Sequence, residues 1–506
     1  MTNRLHSALP SELNSAERAS ANPLLRVNAF VGARVLTGGA RYPVLDPAND
    51  QELASVSRCG VAEVEEAVTL ASQAQRRWAQ ALPKARARIL RAWFELIEAR
   101  RDELAELITL ESGKPLAEAK GEVSYGAAFV EWFAEEARRT YGELIPSFGQ
   151  GRRLVTTKQP VGVVAAITPW NFPLAMVTRK VAPALAAGCA VVLKPAEGTP
   201  LSALALAQLA REAGLAPELF SVITTDRAGA QEVGGALCDH ELVRKVTFTG
   251  STAVGKWLMA RSASRLHRLS LELGGNAPLL IFEDADIDKA LKGIMASKFR
   301  NTGQTCICAN RVFVHQDRFD ELLARLKVKV EALKVGHGLT PGVQSGPLIT
   351  TSSRERLERL VSDAVAHGAT LVTGGSARPE LGTRFFEPTI ITHPKASDPI
   401  CSEELFGPIV TLSSFEREEE VIELANDTRA GLAAYLFTED QGRAWRVAEA
   451  LEYGMVAIND GALSSEVAPF GGVKESGLGR EGGRQGIDEF LEVKYMMFGG
   501  LSGGSA

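Results

Sequence analysis

Val161-Gly-Val-Val-Ala-Ala-Ile-Thr168 is a short, apolar, β-branched run, and the chain that follows it decides the fold. Its residue pattern predicts a helix over 176–187, a strand over 190–193, a helix over 202–213, a strand over 219–224 and a helix over 231–237. A further strand over 245–249 and helix over 252–261 complete the series. Short, mostly apolar strands alternating with helices mark a parallel sheet covered on both faces, because a strand buried on both sides has no polar face to present. A doubly wound nucleotide-type domain is the expectation. The alternation resumes after Ala277, with a helix over 287–299, a Gly- and Cys-containing loop and a strand over 311–315. Helices over 319–333 and 354–367 then sit between strands near Thr370, Phe386 and Ile409, which gives a second α/β domain. Upstream, Leu90, Trp93, Phe94 and Ile97 recur at helical spacing and read as a packed helix face. Residues 471–486 read as a long loop, and the Gly-rich tail after Phe498 as a fraying end.

Composition supports a folded protein and narrows its partners. The 506 residues are 45% hydrophobic and 23% charged, an ordinary balance that excludes disorder for most of the chain. Lys and Arg number 56 against 61 Asp and Glu, a net charge of −5, which argues against nucleic acid as the main partner. The longest apolar run, ending at Leu193, stops at Lys194, short of the ~18 residues of a membrane helix. The first two dozen residues, with Glu12 and Glu17, lack the apolar run of a secretory signal and are acidic for a transit peptide. They read as a flexible extension, 1–23, on a cytoplasmic protein. Cys59, Cys189, Cys238 and Cys401 are scattered and read as buried thiols, while Cys306 and Cys308 are one residue apart. With no CxxC, HExxH or HxH, no metal site is expected.

Two nucleotide motifs are near misses. Gly250-Ser-Thr-Ala-Val-Gly255-Lys256 is spaced like a P-loop, but Trp257 stands where Ser or Thr would hold magnesium. The helix start there remains an anion site through its free N–H groups. Gly477-Leu-Gly479-Arg-Glu-Gly482 has dinucleotide-fingerprint spacing but no strand predicted ahead of it, and a glycine-rich loop is the better reading.

Four further segments gain meaning together: Thr168-Pro-Trp-Asn-Phe-Pro173, Leu271-Glu-Leu-Gly-Gly-Asn276, Asn301-Thr-Gly-Gln-Thr-Cys306 and Glu403-Glu-Leu-Phe-Gly-Pro408. In this order they resemble the aldehyde dehydrogenase superfamily from about Leu36 to Leu501. The chemistry of the residues agrees. A Cys thiolate is a strong nucleophile toward an aldehyde and leaves a labile thioester, and Cys306 sits in a small, polar loop. Asn171 is held between Pro169 and Pro173, where its amide can donate to a developing oxyanion. Glu272 ends a strand beside Gly274-Gly275 and could act as a base.

The resemblance implies two doubly wound α/β domains plus a small β-hairpin oligomerisation element. Residues 24–140 and 160–274 would bind the cofactor, 275–470 would form the catalytic domain, and 141–159 with 487–500 would mediate a homodimer or homotetramer. It also implies roles: Cys306 as nucleophile, Asn171 with the Cys306 N–H as oxyanion hole, and Glu272 as general base. Lys194 and Glu197 would face the adenine ribose, Gly250 and Ser251 the pyrophosphate, and Trp170, Leu273, Glu404 and Phe406 the nicotinamide half. Glu197 favours NAD, since a carboxylate accepts from ribose hydroxyls and repels the 2′-phosphate of the alternative, NADP.

Phe299-Arg-Asn-Thr-Gly-Gln-Thr-Cys-Ile-Cys308 is similar to the catalytic loop of the succinate-semialdehyde dehydrogenase subfamily, as are Thr178-Arg179-Lys180 and Ser464-Ser465. Arg179 and Arg300 would clamp a substrate carboxylate by their forked donors, with Ser464 beside them. Cys308 is implied as the partner of Cys306 in a redox switch. Another carboxylated aldehyde such as glutarate semialdehyde, or a broader range of aldehydes, is the alternative substrate. A non-catalytic relative should have lost Cys306, Glu272 or Asn171, and a CoA-acylating one the Glu272 base.

Overall fold

A computed structural model of the chain describes residues 13–501. The elements used below are helices α1 (Ser15–Ala21), α2 (Leu116–Glu136), α3 (Ala175–Ala187), α4 (Thr252–Ser262) and α5 (Ile287–Ile294). The first sheet contains parallel strands β1 (Val163–Ile167), β2 (Ala190–Lys194), β3 (Phe220–Val222), β4 (Val243–Thr249) and β5 (Arg268–Glu272). Their order is β5-β4-β1-β2-β3, with Gly477–Leu478 antiparallel to β5 at one edge and Phe30–Val31 antiparallel to β3 on the other side, followed by Arg34–Val35 at that edge. All five residues of β1, and all five of β2, are buried, as a sheet covered on both faces requires.

The second sheet is built from β6 (Ala277–Ile281), β7 (Ala309–His315), β8 (Thr389–Thr392), β9 (Ile409–Phe415), β10 (Ala433–Phe437) and β11 (Met455–Ile458). Its order is β8-β9-β7-β6-β10-β11, all parallel, with Thr370–Thr373 antiparallel on β8. Each large sheet has its own apolar cores: Val164, Leu193 and Val246 belong to one, Leu279, Val312 and Tyr435 to another. A third sheet joins the hairpin Glu143–Ile145 and Arg153–Pro160 to Leu491–Phe498, antiparallel throughout.

The structure differs from the sequence reading in four places. Part of the expected flexible extension is an ordered helix. Asn14 accepts from the Glu17 N–H at 3.0 Å while Glu17 accepts from the Asn14 N–H at 2.9 Å, so two orphan donors at the start of α1 are satisfied. Ser15 then donates to buried Asp46 at 2.6 Å and docks the helix; residues 1–12 lie outside the described residues. The helix expected over 287–299 is regular only to Ile294 and widens into a π-helical turn over Met295–Phe299. The strand expected near Phe386 lies at Thr389–Thr392, Phe386 making only an isolated bridge to Ala377. The loop expected over 471–486 contains Gly477–Leu478, whose close approach to Leu271 leaves no room for a Cβ at Gly477, where φ is +135°. At the other end, the Leu501 N–H donates to Gly151 at 3.0 Å, and 502–506 lie outside the described residues.

Candidate active site

Strand order in the first sheet reverses between β1 and β4, so the loops leaving their carboxyl ends run to opposite sides and open a crevice. Trp170 and Asn171 follow β1 there, and Gly250 and Ser251 follow β4. A cavity of about 210 Å³ at this point is also lined by Leu273, Glu404, Phe406 and Cys306. Trp170 and Phe406 meet edge to face, ring centres 5.4 Å apart. The Glu404 carboxylate accepts from the Gly275 N–H at 3.1 Å, and burial pushes its pKa up to about 7. Trp170 also lines a larger cavity of about 700 Å³ with Tyr42, Glu197, Gly198 and Asp226. Seven of the eight expected cofactor residues therefore border two lobes that share Trp170. Lys194 lines neither; it is buried with Nζ donating to the Pro195 carbonyl at 3.1 Å. Ser251 caps α4, accepting from the Val254 N–H at 3.4 Å.

These residues fit a nicotinamide dinucleotide. Carboxylates at Glu197 and Glu404 can accept from sugar hydroxyls, and the α4 start offers N–H groups to a pyrophosphate. Trp170, Leu273 and Phe406 offer apolar walls to a flat ring. A side chain at Gly274 would meet Glu404 at 2.8 Å and Thr252 at 3.2 Å, so glycine keeps the cleft open.

Cys306 lines a second, narrow cavity on its other side, with Arg179, Arg300, Ser464, Phe172 and Phe470. The loop carrying it is tightly turned, with Asn301 and Thr302 both left-handed at φ +52° and +56° and Gly303 at +71°. Two non-glycine residues in that region are costly and are held there by neighbours. The Asn301 N–H donates to Glu118 at 2.7 Å, and the Thr302 hydroxyl accepts from the Gly346 N–H at 2.9 Å. The polar loop is buried rather than open, Gln304 and Thr305 included, with Cys306 part-exposed. Burial, and then the charge of Glu404, raise the Cys306 pKa well above the ordinary thiol value, while Arg179 opposes them. Cys308 is buried, its thiol donating to the Gly303 carbonyl at 3.2 Å and sharing a hydrogen with Thr305 at 3.1 Å.

Asn171 is buried, and its Nδ2 donates one hydrogen to the Gln304 carbonyl at 3.0 Å. The amide has a second hydrogen to give. Glu272, at the end of β5, is buried with neither carboxylate oxygen hydrogen-bonded among the described residues. Burial, then the nearby charge of Glu481, raise its pKa well above the carboxylate range against the pull of Arg179, Lys180 and Arg480. Glu481 itself, though buried, is held low by Lys180 and Arg179, with which it pairs; the Arg179 contact is 2.9 Å.

Arg179 lies under the Phe470 ring at 4.2 Å and within 3.4 Å of the Tyr125 hydroxyl. Arg300 has no hydrogen bond or ion pair among the described residues; its guanidinium rests 4.9 Å from the Phe172 ring centre. Ser464 lines the same space.

The sequence reading missed the supports of this site. Glu118, Glu122, Tyr125 and Phe129 are spaced as one face of α2, and they contact Asn301, Leu174, Arg179 and Arg179 respectively. The available signal was a pair of carboxylates set into an otherwise apolar helix stripe. Among the described residues no cluster of side chains could hold a metal, and no helix is long and apolar enough to cross a membrane.

The profile of the aldehyde dehydrogenase family matches residues 35–496. Mitochondrial succinate-semialdehyde dehydrogenase of Rattus norvegicus is 51% identical over 480 residues, covering 94% of this chain and 91% of that protein. The crystal structure of succinate-semialdehyde dehydrogenase from Burkholderia pseudomallei is similar with a TM-score of 0.92 at 51% identity, covering 94% of this chain and 98% of that one. An E. coli NADP-dependent enzyme is similar with a TM-score of 0.92 at 50% identity, covering 94% and 98%.

Proposed function

The chain belongs to the aldehyde dehydrogenase family, and on that premise we propose that it oxidises succinate semialdehyde to succinate with NAD. One observation carries this reading: Cys306 stands between two cavities, one fitted to a dinucleotide and the other holding Arg179, Arg300 and Ser464. A thiol so placed meets a carboxylated aldehyde on one side and a hydride acceptor on the other.

Cys306 Sγ attacks the aldehyde carbon as its thiol proton passes to water, and the C=O π pair moves onto oxygen to give the thiohemiacetal alkoxide. The second hydrogen of Asn171 Nδ2 and the Cys306 backbone N–H donate to the oxygen as its charge grows. Trp170, Leu273, Glu404 and Phe406 would hold a nicotinamide beside Cys306, and that ring would supply the hydride acceptor. Collapse of the alkoxide leaves a thioester on Cys306. Glu272, once ionised, takes a proton from the water that attacks it, and the acid departs as the Cys306 sulfur is released. Arg300, with no ionic partner among the described residues, binds the distal carboxylate with Arg179 and Ser464.

Glu197 supports NAD over NADP by its repulsion of a 2′-phosphate. The separate cores support assigning 24–140 and 160–274 to cofactor binding and 275–470 to catalysis, with the three-stranded sheet joining subunits. The test is reduced-cofactor formation with succinate semialdehyde, glutarate semialdehyde and an uncharged aldehyde, each with NAD and NADP. The highest kcat/KM is expected with succinate semialdehyde and NAD. Equal kcat/KM for charged and uncharged aldehydes would overturn the substrate, and a preference for NADP the cofactor.

A further inference from the structure

Lys114 and Glu122 form an ion pair with both side chains fully buried, deep beneath the turn that carries Asn171. Taking two charges from water is expensive, and a buried pair is often replaceable by apolar groups without loss of stability. Its position suggests what it does. The Lys114 ammonium donates to the main-chain carbonyl of Asn171 at 2.9 Å. The other Glu122 oxygen accepts from the N–H groups of Leu174 at 2.9 Å and Ala175 at 3.2 Å, where α3 begins. The pair therefore grips both ends of Asn171-Phe-Pro-Leu174. The same ammonium lies 3.8 Å over the Phe172 ring, the ring on which Arg300 rests. Asn301 of the Cys306 loop donates to the same Asn171 carbonyl at 3.0 Å.

We propose that Lys114 and Glu122 are positioning residues that fix Asn171 for oxyanion stabilisation. Neither touches the reacting atoms; they act by setting the backbone from which the Asn171 amide projects. This rests on the role given to Asn171 above. The Lys114 charge anchors the carbonyl, and the Glu122 carboxylate at once neutralises that charge and holds the first N–H groups of α3.

The test is the charge-free pair Lys114→Met with Glu122→Gln, alongside Glu122→Gln alone. Glutamine keeps an acceptor for Leu174 and Ala175, and removing both charges avoids the buried unpaired ion that either single change leaves. The double variant is expected to melt near the wild type, to keep its KM and to alkylate Cys306 with iodoacetamide at the wild-type rate. Its kcat should fall about 10-fold to 100-fold, the cost of a misplaced catalytic group. In an Asn171→Ala background the same pair should add less than about 3-fold, because the group it positions is gone. Wild-type kcat in the double variant, or an equal loss with and without Asn171, would overturn the proposal. If Asn171→Ala alone leaves kcat unchanged, the fault lies with the role given to Asn171. If the double variant does not fold, Glu122→Gln read by the same cycle decides.

Discussion

Glu272 and Cys306 share a condition that governs how the site responds to pH. Burial raises both above their ordinary values, which favours the protonated acid and the protonated thiol. Neither form is reactive, and each gains its working form only as pH rises toward its raised pKa. Turnover at saturating cofactor should therefore climb steadily from about pH 6 to about pH 9, and a flat profile would contradict the inferred protonation states. Glu272→Gln should release about one reduced cofactor per site in a burst and then stall, since the thioester forms without a base to hydrolyse it. The two arginines should also separate. Arg300→Ala is expected to raise KM for succinate semialdehyde at least about 10-fold while barely affecting an uncharged aldehyde, as expected for a lost charge-assisted pair. Arg179→Ala also strips Glu481 of a partner and should lower kcat for both. Cys306, Asn171 and Glu272 were legible because each stands in a short motif. Lys114 and Glu481 were not, because their meaning lies in partners 57 and 301 residues away, Asn171 and Lys180.

At the scale of elements, glycines mark where backbone must lie against backbone. A Cβ at Gly275 would fall on the Cys306 carbonyl oxygen, so Gly275→Ala should displace the Cys306 loop and cut kcat at least about 10-fold with little change in melting temperature. A Cβ at Gly477 would fall on the Leu271 carbonyl instead, one residue before Glu272. Strain of about 1–3 kcal/mol at that edge should lower Tm by several degrees in scanning calorimetry. The strand–helix alternation was readable since strands such as β1, β2 and β6 are short and apolar. The pairing of Gly477–Leu478 with β5 was not, because two residues carry no period and their partner lies some two hundred positions earlier. Nor was α2, whose face reads as ordinary packing until Asn301 and Arg179 are seen against it.

At the scale of the whole molecule, the three-stranded sheet leaves Val493, Tyr495 and Met497 on one face at 66%, 54% and 52% exposure. Alternate apolar residues facing outward on an edge strand invite pairing with another chain. Val493→Lys should shift the sedimentation coefficient toward that of a monomer; an unchanged value would exonerate this face. The site itself draws on both large sheets. Asn171 and Glu272 hang from β1 and β5, while Cys306 and Arg300 come from the loop ahead of β7, and each sheet has a core of its own. Turnover is thus a gauge of how the two halves seat on one another, a looser bond than either core provides. In a urea titration, activity should fade at a lower concentration than the far-ultraviolet dichroism, passing through a form with its helices and strands intact and its chemistry gone.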